Sequence, residues 1–167
     1  PDLSGAVFPV TIDPDLSVEV DGYYSGGYAR SDSTFTYATL YVGQASSGGL
    51  VYNSFLRFVI VTPLFDVNSA YLTLYPQSTK TGINAKIYGI DEAAVDWDFN
   101  PTDGVAVTSP DLSSILDEIV AIPGLRGGEA LQLHLDDDGS SADELGWFET
   151  YAFRGPELDI DFGNDAY

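Results

Sequence analysis

One histidine, no cysteine and 26 Asp and Glu residues against six Lys and Arg bound the chemistry open to this chain. His134 lies in Leu131-Gln132-Leu133-His134-Leu135, where strand alternation sets it beside Gln132, opposite three leucines. A histidine acting as general base needs a positioned partner. Neither a cysteine nucleophile nor a Gly-x-Ser-x-Gly elbow is present to supply one. Paired carboxylates could serve a glycosidase, but at this acidic density close pairs arise by chance. The expectation is a chain that is not an enzyme and requires no cofactor.

Metal and ligand chemistry are the more serious candidates. The segment Asp136-Asp137-Asp138-Gly139-Ser140-Ser141-Ala142-Asp143-Glu144 carries hard oxygen ligands, without the alternating spacing of an EF-hand loop. It reads first as a solvated acidic hairpin tip, and second as a place for a weakly held Ca²⁺ or Na⁺ on Asp136, Asp138 and Asp143. A second acidic group, Asp91, Glu92, Asp96 and Asp98, surrounds Trp97, which reads either as a loop side chain tucked over the sandwich edge or as a platform for a sugar ring. Arg57 sits in Val51–Val61, a run apolar on both faces, so burial with a carboxylate partner in a structural ion pair is expected. Tyr23, Tyr24, Tyr28 and Tyr37 crowd the N-terminal third among small residues, which suits a partner-contact surface or an aromatic edge of the core.

These side chains need a framework, and the pattern is β. Short runs separated by Gly, Ser, Asp and Pro predict strands at Ala6–Val10, Ser17–Val20, Thr34–Val42, Val51–Val61, Ala70–Tyr75, Asn84–Ile90, Val105–Thr108, Ala130–Leu135, Gly146–Phe153 and Leu158–Phe162. Leu158, Ile160 and Phe162 alternate with Asp159 and Asp161, one dry face against one wet, as in an antiparallel sandwich. One helix is predicted at residues 110–122. Ser109 would be its N-cap, Pro110 its first residue, and Leu112, Ile115, Leu116, Ile119 and Val120 its apolar stripe. The 167 residues fit a single β-sandwich domain, with residues 1–45 as N-terminal strands and contact segment and 46–167 as the remainder.

The formal net charge of −20 is dispersed along the chain, and Lys80 and Lys86 are the only lysines. Such a chain repels itself in dilute salt and is relieved of that repulsion at molar salt, the balance expected in a halophilic host. The same field repels phosphates, so nucleic acid is not an expected partner. No apolar run approaches the ~18 residues of a membrane span. The start, Pro1-Asp2-Leu3-Ser4, is acidic where a signal peptide is basic, and Pro1 can follow a removed initiator Met, so an unexported product is expected.

The stretch Ser54-Phe55-Leu56-Arg57-Phe58 followed by Asp66-Val67-Asn68-Ser69-Ala70-Tyr71-Leu72-Thr73-Leu74-Tyr75 resembles the paired strands of DNRLRE-type jelly-roll domains. Ser109-Pro110-Asp111-Leu112-Ser113, Gly128-Glu129-Ala130-Leu131-Gln132-Leu133 and Pro156-Glu157-Leu158-Asp159-Ile160 fit the same layout. The resemblance implies a jelly-roll-like sandwich, used as a carbohydrate-binding module on secreted or cell-surface proteins or, in stand-alone forms, as a virion protein of tailed viruses. The expected role is a virion structural protein (capsid decoration, turret or fibre-type component) assembled in the cytoplasm of a halophilic host. Its expected partners are further copies of itself and a capsid or tail protein. The alternative is an extracellular carbohydrate-binding module that contacts a surface glycan.

Overall fold

A computed structural model describes residues 15–19, 25–46, 49–59, 67–89, 92–122, 130–150 and 154–162. They form two antiparallel sheets. The smaller runs in the order β1 (Asp15–Glu19), β12 (Glu157–Phe162), β6 (Val67–Leu74) and β9 (Val107–Thr108). The larger runs β11 (Leu145–Phe148), β4 (Leu40–Gln44), β5 (Val51–Val59), β10 (Ala130–Asp137), β7 (Ile83–Tyr88) and β8 (Ala94–Phe99). Two further strands extend it, β2 (Gly26–Arg30) paired to β5 and β3 (Phe35–Tyr37) paired to β2. The fold is an all-β, sandwich-like arrangement with one short helix.

Alternation builds the core. Leu56 and Phe58 of β5, Leu131, Leu133 and Leu135 of β10, and Ile83, Ala85 and Ile87 of β7 are buried from one sheet. Ala70, Leu72 and Leu74 of β6, with Leu158, Ile160 and Phe162 of β12, are buried from the other. All belong to one apolar cluster, as expected for two sheets packed about 10 Å apart. The residues between them point outward, so each strand contributes to the core and to the surface in equal measure.

The helix, α1 (Ser113–Val120), starts later than the sequence suggests. Ser109 and Asp111 are engaged by the smaller sheet instead. Leu72 N donates to Ser109 Oγ at 2.9 Å, and Ala70 N to Asp111 Oδ1 at 2.9 Å. Residues 109–112 therefore continue along β6, and the turn into α1 is made when Ser113 N donates to Asp111 Oδ1 at 3.0 Å. Ile115, Leu116 and Ile119 close over the sandwich edge. A Cβ at Gly89 would lie 3.0 Å from both Ile115 Cγ2 and Ile119 Cδ1, so the helix packs tightly against the chain there.

Burial disfavours the Asp111 carboxylate, but the hydrogen bonds from Ala70, Ser113 N and Ser113 Oγ outweigh it and hold its pKa below the ordinary carboxylate value. Its contribution to stability is thus complete above the unfolded-state pKa and is lost as pH falls through the lower folded-state pKa. Asp111→Ala is expected to cost about 1–2 kcal/mol near neutral pH. In acid, the variant and the parent should converge. Denaturant unfolding at both pH values checks this, and a cost that persists unchanged in acid contradicts it.

Elsewhere the structure departs from the expected elements in four places. Thr34–Val42 is broken into β3 and β4 by Ala38 at φ 59°, where an extended strand cannot continue. Strand β2 runs through glycines that read as a break, and β8 through an acidic stretch that read as a loop. The acidic segment after β10 is not a hairpin, because β10 pairs with β5 and β7 while β11 pairs with β4. The expected strand Ala6–Val10 lies outside the described residues.

Candidate functional site

The outer face of the larger sheet carries an aromatic stripe. Antiparallel register sets Tyr37 beside Gly27, Gly27 beside Phe55, Phe55 beside His134 and His134 beside Tyr88. Paired residues project to the same side, so these five positions form one row across β3, β2, β5, β10 and β7. Phe35 stacks on Phe55 with centroids 5.3 Å apart and planes 10° from parallel, and Tyr37 meets Phe35 edge-on at 4.8 Å. Tyr88 stacks on His134 at 5.3 Å and 9°.

Gly27 makes this possible. A Cβ there would come within 2.4 Å of Thr36 O and 2.8 Å of the Phe55 ring, so only glycine lets the rings lie across β2. The stripe is open to solvent, with Phe35 50% and Tyr37 40% exposed, and Val59 36% exposed on the same face.

Polar groups border the rings. Gln132 Nε2 lies 2.9 Å from His134 Nε2, and Tyr88 Oη donates to Asp136 Oδ2 at 2.5 Å. Burial, reinforced by the Asp136 hydrogen bond and charge, pushes the Tyr88 phenol up to about 12, so it remains a neutral donor. His134 lies against Gln132 on one side and the Tyr88 ring on the other.

Arg57 stands on this outer face, and the expectation of a buried ion pair is corrected. Leu56 and Phe58 take the inward positions of β5, which leaves Arg57 exposed between Phe55 and Val59 and opposite Gln132. Among the described residues it makes no ion pair and no side-chain hydrogen bond. The run looked apolar on both faces because the outward positions of β5 are themselves part of the aromatic surface.

Trp97 is corrected as well. Its ring is only 4% exposed and stacks on Phe99 at 4.2 Å and 21°, on the inward side of β8 opposite Ala85. The acids flanking it, Asp96 and Asp98, point outward by alternation and mark a strand with one wet face. Trp97 belongs to the core and offers no sugar platform.

The acidic segment does not gather ligands. Asp136 accepts from Tyr88, Asp137 accepts from Ser140 N at 3.0 Å, and Asp138 pairs with Lys86 at 3.1 Å. Asp143 adopts φ 80° and turns its carbonyl to Lys80 Nζ at 2.6 Å. The Asp136 and Asp138 carboxylates are taken up by Tyr88 and Lys86, so the three predicted ligands are not held together around one point. No group of three Asp, Glu or His side chains suited to a metal occurs among the described residues.

Of the predicted contact tyrosines, Tyr37 lies in the stripe, whereas Tyr23 and Tyr24 lie outside the described residues. Tyr28 belongs to a second aromatic group where β2, β4, β5 and β11 meet. Its ring is 5.2 Å from Tyr41 and 5.3 Å from Tyr52, and Tyr41 stacks against Trp147 at 6.2 Å and 30°. The Arg30 guanidinium lies 5.9 Å over Tyr52 and is paired with Asp32. The Asp32 hydrogen bond raises the Arg30 pKa, and the same bond holds the Asp32 carboxyl well below the usual range. Burial, with the neighbouring Tyr28 and Tyr52 phenols, raises Tyr41.

Trp147 is 44% exposed. It escaped the sequence reading, although the signal was there: Gly146 and Phe148 alternate inward, which turns Trp147 out.

The chain matches no family model and no curated protein.

Proposed function

We propose that the chain is a non-catalytic structural module that docks through the aromatic outer face of its larger sheet. The observation that carries this reading is the open row of Phe35, Tyr37 and Phe55, continued by His134 and Tyr88. Folding alone gives no reason to hold large rings in water on the side of the sheet away from the core. Aromatic residues and arginine are enriched at the cores of protein interfaces, where burying them repays the loss of their hydration. The setting is a virion component (decoration, turret or fibre-type) in a halophilic host. Support for that setting comes from the net charge of −20 and the resemblance to stand-alone jelly-roll domains.

A structure of the assembled particle tests the proposal. Phe35, Tyr37 and Arg57 are expected to be covered by a neighbouring subunit, and a particle in which that face meets only solvent overturns it.

A second reading rests on Trp147. An exposed indole beside three phenols and an Arg–Asp pair suits a sugar ring, with stacking on one side and hydroxyl partners around it. In this reading the chain is a carbohydrate-binding module. It predicts glycan binding in a direct array assay that Trp147→Ala abolishes and Phe35→Ser leaves intact. Retention of glycan binding by Trp147→Ala, or no glycan binding at all, rejects it.

A further inference from the structure

Basic side chains are scarce here, and nearly all those described are engaged. Arg30 is paired with Asp32, and Lys86 with Asp96 at 3.4 Å and Asp138 at 3.1 Å. Lys80 donates to the Asp143 carbonyl, and Arg154 to the Gly104 carbonyl at 3.1 Å while lying 5.8 Å over the Tyr75 ring. Arg57 alone among the described basic residues has neither an acid nor a hydrogen-bond acceptor for its side chain. With 26 carboxylates in the chain, an unpaired guanidinium is the exception that calls for a cause. It stands on the sheet face that also leaves its aromatic rings open, with Phe55 and Val59 two residues to either side and Gln132 directly across the ladder.

A planar fork with five donors, flanked by apolar groups, is built to take a carboxylate in two parallel hydrogen bonds. Such a bond gains strength where the surrounding rings exclude water.

We infer that the occupant of this face is a second copy of the same chain, with Arg57 of one protomer taking a carboxylate of its partner. The inference rests on the docking reading above and adds the partner to it. Charge complementarity carries the choice. The outer face of the same sheet carries the exposed Asp96 and Asp98 of β8, so a facing copy supplies the carboxylate that Arg57 lacks. The row of rings lies across five strands of one sheet, about 19 Å at about 4.8 Å per strand spacing. A two-fold axis in the plane of that face brings the row against its own copy, as an isologous interface requires. The same acidity opposes the approach of two copies at long range. Association is therefore expected at molar salt, where the Debye length is about 3 Å, and not in dilute salt, where it is about 30 Å.

Sedimentation equilibrium of the full chain across that salt range is the test. The parent chain is expected to self-associate at molar salt. Arg57→Glu should weaken association about thirtyfold or more, Phe35→Ser should weaken it similarly, and Trp147→Ala should leave it unchanged. Circular dichroism and denaturant unfolding confirm that each variant is folded, and exposure of all three positions makes that the expected result. A dimer insensitive to both Arg57→Glu and Phe35→Ser places the contact on another face and overturns the inference. A chain that stays monomeric at every salt concentration also overturns it. In that case the docking reading is judged separately, by whether the same face is covered in the assembled particle by a different subunit.

Discussion

Trp97→Ala is expected to lower the unfolding free energy by about 3–5 kcal/mol and to leave every binding property of the folded protein unchanged. The ring is 4% exposed, stacks on Phe99 at 4.2 Å, and Phe99 in turn lies 6.0 Å from Phe148. Truncating the indole removes its transfer energy and opens a cavity between strands whose hydrogen bonds prevent collapse. Denaturant unfolding measures the loss, and the unfolding midpoint should drop with no change in the slope. A loss below about 1 kcal/mol would mean that the ring is accessible at the surface. The comparison with Trp147→Ala is informative because the two tryptophans have opposite surroundings. Trp147 is 44% exposed, so its removal should cost much less stability.

Salt is expected to have the other large effect. Two like charges 10 Å apart in water repel by about 0.4 kcal/mol. Summed over the pairs available to a net charge of −20, this opposes the compact state by an amount comparable with the stability of a whole domain. Raising salt from about 0.01 M to about 1 M shortens the Debye length from about 30 Å to about 3 Å, which removes most of the repulsion. The melting temperature should therefore rise steeply over that range. The few short-range ion pairs work against the trend only weakly, since Arg30–Asp32 and the Lys86 pairs are exposed and of small net value. A melting temperature flat between dilute and molar salt rejects the electrostatic account and with it the inferred halophilic setting.

Much of the fold was legible because alternation is a local signal. Leu131, Leu133 and Leu135 against Gln132 and His134, or Leu158, Ile160 and Phe162 against Asp159 and Asp161, declare strand and face together, and both strands lie where alternation puts them. The helix was legible from its stripe, but its start was not. Ser109 and Asp111 are good caps in isolation, and the unpaired amides of Leu72 and Ala70 on β6 compete for the same oxygens. Strand β2 was hidden because Gly26 and Gly27 look like a turn. The demand for glycine comes from the Phe55 ring and Thr36 O, which are remote in sequence and adjacent only in the folded sheet.

Residue types and their short-range spacing were enough for the all-β class, the alternating cores of the main strands, the acidity and the lack of cysteine chemistry. Each of these depends on residue type or on spacing within a few positions. Which face of β5 looks inward, and with it the placement of Arg57, depends on long-range packing. Both faces of that strand are apolar, and the choice is made by its neighbours β2 and β10. Long-range packing also separated the two tryptophans, burying the one set among acids and exposing the one set among apolar residues. In a sheet, exposure is settled by which side the second layer covers, and that side is set by register between strands far apart in the chain.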